Sequence, residues 1–292
     1  MEKLITIKNS NLEANIKLKG AELVNLTNRS NNSEIIWNGD TTWWGRHAPV
    51  LFPFVGKLQN GQYEFEGKKY TLGQHGFARD LNFEVEALDD TSCTLSLKFD
   101  DTTLQVFPFK FELKTKFEVI DNTLSTSYEV INLDSKNCLF SIGAHPAFNV
   151  PLDTNLSFSD YEIAFEKKET SDILLLSKDG FISDNREPFI ENSKTLKLSD
   201  ELFVNDALIF DDLKSQHLLI QSNKSNLKIK VGWTNFPHLG IWKPIGAPFL
   251  CIEPWQGMAD HENHDGNLNK KSGLISLGSK KTHQAGYSIS LE

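Results

Sequence analysis

The sequence predicts an all-β protein: a large antiparallel β-sandwich, with residues 1–292 forming one domain. Three observations carry that expectation. Short runs of alternating apolar and polar residues recur along the chain, separated by clusters of Asn, Asp, Ser and Gly. No long run keeps a helical period with caps at both ends. The 292 residues are 39% hydrophobic, enough for a large core, and hold no Pro/Gly/Ser-rich linker, low-complexity tract or repeat.

Taken in order, residues 4–7 and 12–18 form the first two strands, joined by a turn over Asn9, Ser10 and Asn11. Residues 20–27 and 34–37 follow, on either side of a polar tract. Residues 63–72 read as a hairpin with Gly67-Lys68 at its turn. Strands are expected at 95–99, 109–119 and 124–130, the last two joined by Asp121-Asn122, and later at 218–222 and 227–231. Helical turns are expected only around 268–271 and 204–210.

Charge and composition exclude several functions. A net charge of −9 opposes general binding to nucleic acid, which rests on neutralising phosphates. No apolar run is long enough to span a bilayer, and residues 1–7 begin a strand pattern rather than a signal peptide. Cys93, Cys138 and Cys251 are odd in number and lie in strand-like runs, as buried free thiols in a reducing cytoplasm would. The sequence leaves monomer and homodimer both open.

The stretch from Phe140 to Asn149 stands out. His145 sits after Gly143-Ala144 and before Pro146, which biases it towards an extended backbone at a strand end. Such a histidine is either an inert core residue or a proton carrier presented to a cavity. His75, in Gln74-His75-Gly76-Phe77-Ala78-Arg79, has a glycine beside it that allows close backbone approach to a ligand. Arginine is scarce, at 29, 46, 79 and 186. Arg46 and Arg79 fall in or beside these unusual motifs, and their planar donors suit hydroxyls, carboxylates or phosphates. Residues 43–57, which include Lys57, read either as an apolar loop over a sheet edge or as part of a site.

Glu253 follows the apolar run Phe249–Ile252 and precedes Pro254-Trp255. It is either solvent-facing at a strand end or desolvated, and desolvation would make it a better base. Trp233, Trp242 and Trp255 fit a core cluster or an aromatic floor for a sugar ring equally well. His261 and His264 lie in a polar, loop-like stretch, so no metal site is expected. Glycine-rich nucleotide motifs and the serine-hydrolase elbow are missing, so no cofactor is expected.

In order and spacing, Arg46, Gly56-Lys57, His75-Gly76, Gly143-Ala144-His145-Pro146-Ala147-Phe148 and Cys251-Ile252-Glu253-Pro254-Trp255 resemble the aldose 1-epimerase (galactose mutarotase) family, in its shorter bacterial branch. The resemblance implies a galactose mutarotase-like sandwich with a sugar bound in an open cleft on one sheet. It implies His145 as general acid, Glu253 as general base and His75 as a substrate-binding histidine, with Asp206 a weaker match to an aspartate on sugar hydroxyls. His75 is followed by Gly-Phe, and Gly56-Lys57 stands where the better-known members carry an Asn-Arg pair. The Phe-Ala-Arg ending at Arg79 resembles relatives acting on hexose 6-phosphates. A small-molecule partner, hexose or hexose phosphate, is therefore expected. A non-catalytic sugar binder on the same scaffold is the alternative. A glycoside hydrolase or lyase lacks a second carboxylate in comparable context.

Overall fold

The computed structural model describes residues 4–292, of which strands make up 52% and helical turns 8%, a large antiparallel β-sandwich as expected. The main sheet begins at Val50–Leu51 and runs through Ile142–Ala144, Phe249–Gln256, His238–Trp242, Leu208–Phe210 and Glu162–Leu176. It continues through His217–Gln221, Ile229–Thr234, Thr282–Leu291, Thr123–Asn132, Phe111–Ile120 and Ser92–Lys98 to the edge strand Glu84–Leu88. Ala147–Asn149 also pairs with Phe249–Gln256, and Ile182–Lys197 with Glu162–Leu176. A second sheet is made by Leu4–Lys8, Leu12–Lys17, Glu22–Asn28 and Ser33–Glu34. Among the described residues no helix is long and apolar enough to cross a membrane.

Period-two patterning places the core. In Phe111–Ile120 the side chains of Phe111, Leu113, Thr115, Phe117 and Val119 turn inward, and in Thr123–Asn132 those of Leu124, Thr126, Tyr128 and Val130 do. Phe52 packs between Phe107, Phe111 and Phe140 with ring centroids 5.9, 5.0 and 5.7 Å away, as tilted or edge contacts. Cys93, Cys138 and Cys251 are buried and unbridged.

Several local expectations need correction. The hairpin turn is Glu66-Gly67, with Phe65 opposite Lys68; both turn residues have positive φ, 51° and 75°. That is the primed-turn geometry that matches strand twist, and Lys68 already belongs to the second strand. Leu268–Lys270 is a helical turn, but Leu208–Phe210 is a buried strand, and further helical turns lie at Gln59–Gly61, Ala78–Asp80, Phe158–Asp160 and Asp200–Phe203. Of residues 34–37 only Glu34 is in a ladder strand. A short helix, Asp101–Val106, starts with a capping box in which Thr103 N–H donates to Asp100 and Asp100 N–H to Thr103 Oγ1. The longest hairpin, Glu162–Leu176 with Ile182–Lys197, has the least regular alternation, because bulges shift its register repeatedly.

Candidate active site

Phe249–Gln256 is buried on both faces from Phe249 to Trp255, which explains its unbroken apolar character. Glu253 lies in the middle of it, 2% exposed, opposite Gly240. A Cβ on Gly240 would lie 2.5 Å from the Trp255 ring, and one on Gly143 would lie 2.6 Å from it. The two glycines therefore make the slot in which the Trp255 indole sits. Burial holds the Glu253 carboxyl well above its ordinary range, and the charge of Asp206 adds to this.

His145 directly follows Ile142–Ala144, and its N–H donates to Pro49 O. Its Nε2 is 3.2 Å from Glu253 Oε2. Trp44 stacks on the imidazole with centroids 4.7 Å apart, and Trp242 meets its edge at 5.9 Å. Burial lowers the His145 pKa to about 3. The paired groups thus resist charge from opposite directions, and between them they favour carrying one proton, on the glutamate side.

His75 approaches His145 edge-on at 5.9 Å. It sits in the left-handed region, φ 66°, held there by two bonds to Gly56: its N–H donates to Gly56 O, and Gly56 N–H donates to its Nδ1. Nδ1 accepts, so the neutral ring carries its proton on Nε2. Next to it Gly76, φ 71°, lies so close to Phe52 that a Cβ would be 2.2 Å from the Phe52 carbonyl oxygen. Burial lowers the His75 pKa well below its ordinary value, with smaller contributions from His145, Arg79 and Arg46.

The cleft around these groups has a volume of about 880 Å³. His75, Arg79, His145, Asp206, Glu253, Trp255 and Lys57 all line it, so the structure brings seven of the eight predicted site residues together. Arg46 is off the wall, its Nη2 bound to Asp80 Oδ1 at 3.0 Å. Four cations line the cleft: Lys178 has no side-chain partner among the described residues, and the other three are engaged. Arg79 Nη2 donates to Gln74 O at 2.7 Å, and burial lowers its pKa to about 10. Lys57 Nζ donates to Asp179 O at the tip of the long hairpin, 2.8 Å away. Lys243, 2% exposed, pairs with Asp200 and lies over the Phe158 ring. Asp206, φ 81°, projects from the turn after Asp200–Phe203.

Sequence reasoning did not single out Trp44, Lys243 or the hairpin wall around Leu176 and Ile182. Trp44 carried a signal, the Trp43-Trp44-Gly45 triplet, but a covering loop has the same composition. Trp242 and Trp255 do line the cleft, whereas Trp233 faces a separate groove beside Tyr287. One cluster among the described residues could hold a metal: His145, Cys251 and Glu253 place ligand atoms within 4.8 Å of one another. Burial raises both Cys251 and Glu253, and Cys251 sits among Trp37, Ala147 and Phe249, so an ion there would have to displace protons from an apolar pocket.

A desolvated acid/base pair under aromatic walls suits proton transfer to a neutral polyhydroxy ligand. The family model described as Aldose 1-epimerase matches residues 3–290. The plasmid and chromosomal LacX proteins of Lactococcus lactis subsp. lactis are each 30% identical, over 98% of this chain and 99% of theirs. A galactose mutarotase related enzyme from Lactobacillus acidophilus superposes with TM-score 0.94 at 36% identity, covering 99% of this chain and 97% of its own. A galactose mutarotase-like protein from Lactobacillus casei ATCC 334 gives 0.93 at 34%, covering 99% and 100%. With a family model matched along nearly its whole length and relatives this similar end to end, the chain belongs to the aldose 1-epimerase family.

Proposed function

We propose that the protein interconverts the α and β anomers of a hexose, with Glu253 and His145 as the proton-transfer pair. Ring opening removes the proton from the C1 hydroxyl and places one on the ring oxygen. Glu253 as carboxylate takes the first, and His145 delivers the second from Nε2. The C1–O5 bond breaks, C1 becomes a carbonyl carbon, and the C1–C2 bond rotates. Closure runs the same transfers backwards on the other face. After opening, the pair holds its proton on Glu253, the form that burial favours in the empty cleft. Closure returns that proton to His145, and loading the resting pair for a first turnover needs only that one proton cross the 3.2 Å contact between Oε2 and Nε2.

That contact is the observation that carries the reading. The two atoms acted on, O1 and O5, are both bonded to C1, so acid and base must converge on one spot in fixed orientation. His75 and Asp206 are suited to hold ring hydroxyls, and Trp44, Trp242 and Trp255 to bind the apolar face of the ring and exclude water. An uncharged aldose fits better than a phosphate, because three of the four cations that line the cleft, Arg79, Lys57 and Lys243, each already hold a protein oxygen, and among the described residues Lys178 alone holds none. The three buried free thiols suit a reducing compartment such as the cytoplasm. Polarimetry or saturation-transfer NMR on α-glucose, α-galactose and their 6-phosphates tests the proposal. Faster mutarotation of an unphosphorylated hexose is expected, and no acceleration of any of the four would refute it.

A further inference from the structure

Glu22 is 0% exposed, a carboxylate that neither lines the cleft nor belongs to the main sheet. It opens Glu22–Asn28 in the second sheet, opposite Lys17, whose Nζ lies 2.7 Å from its Oε2. Its neighbour Leu23 turns to the core, so Glu22 points the other way, towards residues 47 and 48. There its Oε1 accepts two backbone N–H groups, from His47 at 2.7 Å and from Ala48 at 3.1 Å. A buried carboxylate needs such partners, and charge-assisted bonds from backbone N–H groups are short and strong.

The backbone that Glu22 holds is the one on which His145 rests. Pro49 O accepts the His145 N–H at 3.1 Å, and His47 O accepts the Ala147 N–H at 2.9 Å. Residues 47–49 therefore hang between Glu22 on one side and the His145 segment on the other. The same segment anchors Trp44: His47 Nδ1 lies 2.8 Å from Trp37 O, and Trp37 Nε1 donates to Trp44 O at 2.9 Å. The Trp44 indole in turn covers the His145 ring. His75 and Asp206 are held elsewhere, by Gly56 and by the turn after Asp200–Phe203. We infer that Glu22 is a positioning residue for proton transfer: through residues 47–49 it sets His145 and Trp44 together, and with them the 3.2 Å approach of His145 to Glu253. This rests on the mutarotase reading above. A displacement of about 1 Å at such a contact can cost roughly 10²-fold in rate.

The test compares Glu22→Ala, which removes the acceptor, with Glu22→Gln, whose amide oxygen still accepts both N–H groups, on a hexose that the wild type turns over. In Glu22→Ala kcat should fall roughly 10- to 100-fold with KM within about twofold, because the groups that hold the sugar hydroxyls stay in place. Glu22→Gln should keep kcat within about fivefold of wild type. If Glu22→Ala does not fold, Glu22→Asp, too short to reach both N–H groups, takes its place with the same expected outcome. NMR gives a readout apart from turnover: the ring protons of His145, assigned by their loss in His145→Asn, carry the ring-current shift of the Trp44 indole. That shift should shrink in Glu22→Ala and persist in Glu22→Gln. Unchanged kcat in Glu22→Ala, a rise in KM that accounts for the loss, or equal losses in both variants would overturn the inference, while wild-type turnover leaves the mutarotase reading intact. If the wild type turns over no sugar, that reading fails and the ring-current shift alone decides. A shift lost in Glu22→Ala and kept in Glu22→Gln supports the positioning role, and any other pattern rejects it.

Discussion

Trp44 lies almost flat on His145, with planes 23° from parallel and centroids 4.7 Å apart. A stacked indole favours the protonated imidazole, by about 0.5–2 kcal/mol for cation–π contacts. In the proposed mechanism it therefore helps His145 hold the proton to be delivered, against the burial that opposes it. Trp44→Leu should lower kcat by roughly 2- to 30-fold with a smaller change in KM. A variant with unchanged kcat would show the stacking to be packing only.

On the proposed mechanism Glu253→Gln and His145→Asn each remove one transfer and should each cut kcat by roughly 10²-fold or more. Binding of sugar, followed by calorimetry, should persist in both. Full anomerisation by either folded variant would reject the pair. Sugar binding with no turnover in the wild type would point instead to a binding protein.

The active pair carries one proton, so the rate against pH should form a plateau with two limbs. Lowering pH adds a second proton only as His145 is reached, near 3 rather than at the ordinary 6.5. Raising pH removes the only proton as Glu253 is passed, well above the ordinary 4.5. Activity should thus survive below pH 6 and fall on the alkaline side. A kcat that halves at the ordinary imidazole value would contradict the burial of His145.

Lys271 and Asp260 form an ion pair with both side chains 1% exposed, Nζ to Oδ1 2.8 Å. Lys271 also donates to Met258 O, and Asp260 accepts the N–H of Gln59, so the pair braces the floor beside Met258 and Ala259. Lys271→Met would strand the carboxylate and should cost about 3–5 kcal/mol in chemical denaturation. The double variant Lys271→Met with Asp260→Leu should recover most of that loss. Equal losses in single and double variants would show that the packing, not the stranded charge, matters.

Gly76→Ala would set a Cβ against the Phe52 carbonyl at 2.2 Å in a left-handed residue. It should destabilise the protein by more than about 1 kcal/mol and displace His75, raising KM. An unchanged melting temperature would mean that the 75–78 segment yields.

The strands most legible in the sequence are those with one wet face, such as Phe111–Ile120 and Thr123–Asn132, where alternation survives. Glu162–Leu176 and Ile182–Lys197 escaped notice because Pro188 and repeated register shifts break the period and many outward positions are charged. His145 and Glu253 were visible because a titratable residue in an apolar, proline-flanked run is locally inconsistent unless it has work to do. Arg46 and Arg79 were singled out for scarcity, but composition carries no information on partners, and Asp80 and Gln74 O hold them. Lys243 was invisible for the opposite reason: buried lysines look like exposed ones in a sequence.

The final strand, Thr282–Leu291, is not at an edge of the main sheet but between Thr123–Asn132 and Ile229–Thr234. During synthesis those two strands therefore wait with open backbone edges until residue 291 has left the ribosome, the state in which sheets recruit foreign strands. Cutting the chain after residue 281 would not trim the molecule but unzip it along a central seam. A synthetic peptide of residues 282–291, added to such a shortened chain, should restore the seam and with it soluble protein.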